Sequence, residues 1–265
     1  MTETTPLDRA FAAMREAPQD NAAELGFYER LADCELFLLL ATDARDGHGT
    51  ITPDIFDLGT EKYVLVFDRE ERLSEFTGRP APYAALSGRV IAQMLAGQGI
   101  GLGLNLDVAP SSQLLPPAAV DWLHEMLANP PVETEARFSK VLPPAGLPER
   151  LLHALDAKLS SAAGRAECAW LAAVAQDDAK RGYLLAFIDA APGAQGALAR
   201  AVSEALTFSG LADVALDVTF AAPGDPLVER LARVGLRFDL PQPEPKALAV
   251  RPAPGSDPSR PPILK

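Results

Sequence analysis

Gly99-Ile-Gly-Leu-Gly103 is the first place in this sequence where residue types and spacing could do chemistry. Glycines at that density let backbone N–H groups close around a phosphate, provided they form the turn between a strand and a helix N-terminus. Here Gly99, Gly101 and Gly103 alternate with Ile100, Leu102 and Leu104, which is the two-residue period of a strand. No Lys-Ser or Lys-Thr follows, so a P-loop would lack its cation. Asn105 comes next, and Ser111-Ser112 stands in the loop beyond, where a hydroxyl nucleophile would be reachable. Neither a Gly-x-Ser-x-Gly elbow nor a nearby histidine accompanies them. The candidate binding residues are therefore Gly99, Gly101, Gly103, Asn105, Ser111 and Ser112. The competing role is structural: strand glycines that admit a covering element, and serines that serve turn chemistry.

The remaining chemistry-bearing residues are scattered. His48, His124 and His153 lie in a loop and in two different helices, with no His or Cys partner at ligand spacing. Cys34 and Cys168 form no CxxC motif and no disulfide framework, and are read as buried reduced thiols. Asp68, Glu70, Glu71 and Glu75 form an acidic run that suits a helix start and a solvated face. No catalytic residue, metal or cofactor is expected from these patterns.

The charge balance excludes some partners. The chain has 265 residues and a formal net charge of −12. Residues 1–130 hold 9 Lys and Arg against 20 Asp and Glu, so nearly all the excess lies in the first half. Such a surface repels phosphate backbones and anionic membranes, and neither nucleic acid nor membrane is an expected partner. The N-terminus has no basic or apolar leader and no stretch is long and apolar enough to span a bilayer, so a cytoplasmic location is expected.

The elements that must position these residues follow from periodicity. Residues 6–17 and about 20–33 read as amphipathic helices, and Glu35–Thr42 as a buried strand. Strands at Thr50–Asp57 and Lys62–Phe67 complete an expected antiparallel meander. Asp68 with Glu71 three residues later reads as an N-cap and capping box. Ser87 caps a helix carrying Val90, Ile91, Met94 and Leu95. Pro116 and Pro117 open another. Asn129-Pro130-Pro131 marks a boundary. Beyond it the order is β-α-β-β-α-β followed by α-β, which predicts a ferredoxin-like arrangement with an extra αβ. The expected class is α+β, with a mixed or antiparallel first sheet and flanking helices. The expected domains are 1–130 and 131–240, followed by a Pro-rich tail, 241–265.

Several segments of the first half resemble one family. Tyr28-Glu-Arg-Leu-Ala-Asp-Cys-Glu-Leu-Phe-Leu38, Tyr63–Leu73, Pro82–Val90 and Gly101-Leu-Gly-Leu-Asn105 resemble the SseB (enhanced serine sensitivity B) N-terminal domain over roughly residues 20–128. The second half is more weakly similar to the companion C-terminal domain. The resemblance implies a link to a serine-sensitivity phenotype and carries over no catalytic residues. The tail falls outside the family domains.

Three functions are compatible with these readings. The first is a non-catalytic interaction or adaptor protein, with an unknown protein partner or self-association. Its candidate docking segment is the end of the tail, where Arg260 and Lys265 flank Ile263 and Leu264 beside an acidic first half. The second is a regulatory module binding a small molecule such as an amino acid. The third is a hydrolase or transferase whose site is assembled from distant residues.

Overall fold

The computed structural model describes residues 3–41, 51–128, 140–175, 181–211 and 214–242. Thr5-Pro-Leu-Asp8 writes a helix start into four residues. The Thr5 hydroxyl accepts from the Asp8 N–H at 3.1 Å, the Asp8 carboxylate accepts from the Thr5 N–H at 2.9 Å, and Pro6 takes the first helical position. Helix α1 (Pro6–Glu16) follows, and α2 (Asn21–Asp33) begins after Asp20, whose side chain accepts from the Ala22 N–H.

The first sheet contains β1 (Glu35–Leu39), β2 (Ile55–Asp57), β3 (Lys62–Phe67), β4 (Tyr83–Ser87), β5 (Ile100–Leu104) and β6 (Gln113–Leu115). Its order is β4-β1-β3-β5-β6, with β2 pairing β3. The β3–β5 pair is parallel and the others are antiparallel, so the sheet is mixed. Three further helices flank it: α3 (Glu70–Thr77), α4 (Gly88–Leu95) and α5 (Pro117–Leu127). Leu36, Leu38, Val64, Val66, Leu102 and Leu104 form one face and pack against α1, α2, α4 and α5. Leu39, Leu65 and Phe67 form the other face, under Leu73 of α3.

The expected meander needs correction. Only Ile55–Asp57 of the second run is a strand, and β1 lies between β3 and β4. Beyond its own end β1 also bridges the second run, at Leu40 and Pro53. Asp68 is not the N-cap of α3. That position is Arg69, without a side-chain cap, because the Asp68 carboxylate is committed to Arg72 and Thr5.

The second sheet contains β7 (Lys140–Leu142), β8 (Cys168–Ala175), β9 (Arg181–Ile188), β10 (Leu216–Ala221) and β11 (Leu236–Asp239), with helices α6 (Glu149–Ser160), α7 (Gln195–Phe208) and α8 (Pro226–Val234). Leu151, Leu155, Leu198 and Val202 of α6 and α7 cover the face carrying Leu171, Leu185 and Phe187. Leu231 of α8 covers the opposite face, at Cys168, Ala186 and Ile188. The class is α+β and the element order is as expected, but the pairing is not that of a split βαβ. The order is β10-β9-β8-β11, β10 runs parallel to β9, and β7 joins β8. In a split βαβ the first strand would separate β9 from β10. Here the described part of β7, Lys140–Leu142, pairs with β8 instead. Most of the expected strand Val132–Val141 lies outside the described residues.

The two sheets meet through helices. α2 packs on α7, and Phe208 of α7 is buried in the first half's core beside Leu25 and Leu31.

Candidate functional site

Asn105 and Ser111 come together, but facing inward. Asn105 holds a left-handed backbone, φ 46°, which an asparagine tolerates better than most residues. Its N–H donates to the Val66 carbonyl at 2.9 Å, its Nδ2 donates to Ser111 Oγ at 2.9 Å, and its Oδ1 accepts from the Asp68 N–H at 3.1 Å. The Ser111 hydroxyl donates onward to Asp8 Oδ1 at 2.6 Å. Both side chains have 0 % exposure. Their hydrogen-bonding capacity is spent on holding α1, β3 and the β5–β6 loop together. Ser112 receives the Asp107 N–H at 3.3 Å, a turn contact.

Arg72 is the centre of this network, at 1 % exposure. Its Nη1 donates to Asp8 Oδ1 at 3.1 Å and to Asp68 Oδ1 at 2.7 Å, and its Nη2 donates to Asp8 Oδ2 at 2.5 Å. The Thr5 hydroxyl supplies another proton, to Asp68 Oδ2 at 2.6 Å. Burial by itself would raise the Asp8 carboxyl, but the hydrogen bonds from Arg72, Ser111 and Thr5 outweigh it and bring the pKa down to about 2. Sequence reasoning missed this cluster. Its available signals were the Thr5-x-x-Asp8 capping pattern and the i,i+4 spacing of Asp68 and Arg72.

The glycines serve packing. A Cβ on Gly101 would lie 2.5 Å from the Leu115 carbonyl and from the Tyr63 ring. One on Gly103 would lie 2.6 Å from Leu65 Cδ2. The covering groups are side chains of β3 and of Leu106 in the β5–β6 loop, and backbone of β6. Gly99 is an exposed turn glycine, φ 66°, with nothing within 4 Å of an added Cβ. Burial, with the nearby Asp68 charge, pushes the Cys34 thiol up to about 12, and burial raises Cys168, so both are held as thiols. His48 and the tail residues Arg260, Ile263, Leu264 and Lys265 lie outside the described residues.

A second charged cluster joins the two halves. Arg89 of α4 makes a two-pronged contact with Glu204 of α7, at 2.9 and 3.0 Å, and reaches Asp33 at 2.6 Å. Lys158 of α6 lies 2.5 Å from Asp33, 3.1 Å from Glu204 and 3.4 Å from Glu29. Burial opposes the charged form of Glu204, but Arg89 and Lys158 prevail and lower its pKa. Burial dominates at Glu29 and raises it.

The outward-looking feature is the edge of the first sheet. Gly88 N–H donates to the Cys34 carbonyl, and Leu40 N–H to the Pro82 carbonyl. With the register Leu36↔Leu86 and Leu38↔Ala84, these bonds place the backbone of Ala84 and Leu86 toward β1. The N–H groups of Tyr83, Ala85 and Ser87 therefore point away from the sheet. Among the described residues β4 has no strand on that side. The side chain of Tyr83 packs edge-on against Phe37, with ring centroids 5.3 Å apart. The hydrogen bond that the Tyr83 phenol donates to the Glu70 carboxylate is the first cause of its raised pKa, and the Glu35 charge adds to it. The result is an open strand edge beside an aromatic pair and two carboxylates.

Among the described residues no group of three or more His, Cys, Asp and Glu is arranged to hold a metal, and no helix is long and apolar enough to cross a membrane. A family model for the SseB protein N-terminal domain matches residues 7–122. The first half of the chain carries an SseB-family domain. No curated protein and no solved structure shows a significant match. The SseB match takes in the whole first sheet, the Asp8–Arg72 network and the β4 edge. It stops within α5, so Lys158 and Glu204 tie the SseB domain to a second half outside the match.

Proposed function

We propose that this chain, with its SseB-family domain, is a non-catalytic interaction module that captures an extended peptide of a partner protein along β4. The observation that carries this reading is the outward row of N–H groups at Tyr83, Ala85 and Ser87, set beside the Phe37–Tyr83 pair and the Glu35 and Glu70 carboxylates. Strand addition draws affinity from main-chain hydrogen bonds and specificity from alternate side chains. The acidic rim favours a peptide with basic ends. Asn105 and Ser111, the polar groups best suited to a small ligand, are sealed inside the Arg72 network. The void between α2, α4, α5 and the sheet is small and lined by apolar side chains, and the roomier hollow beside Met14, Pro18 and Glu24 is open to solvent, so neither encloses an amino acid. The chain is read as two units, 1–130 and 131–240, with the docking edge on the first, in a cytoplasmic setting.

Ala85→Pro tests the reading. The Ala85 N–H faces outward, so proline there removes an edge donor while sparing the β1–β4 ladder. Extended peptides with alternating apolar residues and basic ends should bind the parent chain, more weakly at high salt, and lose at least about tenfold in affinity to Ala85→Pro. Equal binding to both chains would rule out β4 as the site.

A further inference from the structure

Lys246-Ala-Leu-Ala-Val-Arg251 is a strand pattern placed just beyond the second sheet. Leu248 and Val250 fall on one face at the two-residue period, Lys246 shares that face, and Pro245 and Pro252 bracket the run. Prolines at both ends suit a short edge strand, since neither residue needs to donate there.

Contacts link the point where the chain leaves the described fold to β4. The Pro241 carbonyl accepts from Gly164 N–H, in the turn that follows α6. Lys158, near the end of α6, is 2.5 Å from Asp33, two residues before β1 begins. Arg89, two residues after β4 ends, is 2.6 Å from the same carboxylate. A path of contacts through the turn after α6, Lys158 and Asp33 thus links Pro241 to the Glu35–Ser87 end of the open edge. Lys246 lies four residue steps beyond Gln242, an extended reach of about 13 Å, and each further residue adds about 3.3 Å.

We propose that Lys246–Arg251 adds to β4 within the same molecule, so that the tail occupies the docking edge until a partner displaces it. This rests on the reading of β4 as a docking edge. Leu248 and Val250 would share the face of Phe37 and Tyr83, and Lys246 would meet Glu35 or Glu70. Charge supports this edge over the outer strands of the second sheet, β10 on one side and β7 and β11 on the other: the first half carries nearly all of the excess negative charge.

The test is residue-level amide hydrogen exchange on the full chain and on a full-length Leu248→Pro, Val250→Pro double variant. The Tyr83, Ala85 and Ser87 amides should be protected in the parent and exchange at least about tenfold faster in the variant. The Ala84 and Leu86 amides, paired with β1, should not change, which shows that the fold is intact. A synthetic Pro245–Pro252 peptide added to the variant should restore the protection. Free exchange at Tyr83, Ala85 and Ser87 in the parent would overturn the proposal. If the peptide still bound β4 in that case, the docking edge would stand and only its internal occupant would fall. If it did not bind, both would fall. Protection at β10, or protection that grows with chain concentration, would also overturn it, the latter by placing the segment on a second copy.

Discussion

The Asp8–Arg72 network and the Lys158–Arg89 cluster are both surplus-acid clusters, and they settle the surplus differently. Within the first half, Asp8 and Asp68 face the single cation Arg72, and the neutral donors Thr5 and Ser111 supply the missing hydrogens. Between the halves, Glu29, Asp33 and Glu204 face Arg89 and Lys158, and among the described residues no neutral side chain makes up the difference. Glu29 Oε1 is left buried without a hydrogen bond, although Lys158 is 3.4 Å away. The first network also leaves one buried atom unbonded, Arg72 Nε, but that is a guanidinium N–H that does not titrate in the working range. A network with an unbonded carboxylate is sensitive to protonation, which suits a junction between units better than the inside of one.

The largest expected effect comes from breaking the sealed network. Arg72→Ala strands two carboxylates in a site they cannot leave, and should cost about 3–5 kcal/mol in denaturant unfolding. Lys158→Ala should cost less, about 2–3 kcal/mol, because Arg89 still holds Asp33 and Glu204. It should also separate the unfolding of the two halves into distinct transitions. If Lys158→Ala proves as damaging as Arg72→Ala, with a single transition, the junction is as integral as the network and the contrast fails.

Acid sharpens the comparison. The Asp8 pKa is depressed to about 2, below its ordinary 3.8. Its contribution is therefore complete above about pH 4 and is lost as the pH falls through about 2, an amount of about 2 kcal/mol. Asp8→Asn should be less stable than the parent at pH 6, with the difference narrowing toward pH 2. A constant difference across that range would assign the loss to shape rather than charge.

How much of this was legible in the sequence depends on the range of the interaction. Helices α1 and α2 were placed nearly to the residue, because capping and periodicity are local. The element order of the second half was legible for the same reason. Its pairing was not, since nothing inside Lys140–Leu142 says which edge it joins. β4 was missed because Tyr83-Ala-Ala-Leu-Ser carries little strand signal and owes its place to β1. Gly88 shows the same limit. A Cβ there would lie 1.9 Å from the Leu31 carbonyl, so α2 and α4 approach as closely as they do only because that residue is glycine. Gly101, Gly103, Asn105 and Ser111 stood out in the sequence as candidate binding residues. Their role was invisible because Asp8, which organises Ser111, lies 103 residues away.

The smallest effect is the most discriminating, because its sign is opposite to the rest. Burial raises the Glu29 carboxyl, so the folded chain holds that proton more tightly than the unfolded chain does. The associated stability is present below the ordinary glutamate range, near 4.5, and is lost as the pH rises through the higher folded value. At neutral pH the ionised Glu29 is thus a cost to the junction, even with Lys158 beside it. Glu29→Gln removes the charge and keeps the shape. It should raise stability at pH 7, and the gain should disappear near pH 4, where the native carboxyl is protonated as well. Unfolding measured at both pH values decides the matter. A Gln variant less stable at pH 7 would mean that Lys158 needs this third carboxylate, and that the junction is as tightly matched as the network around Arg72.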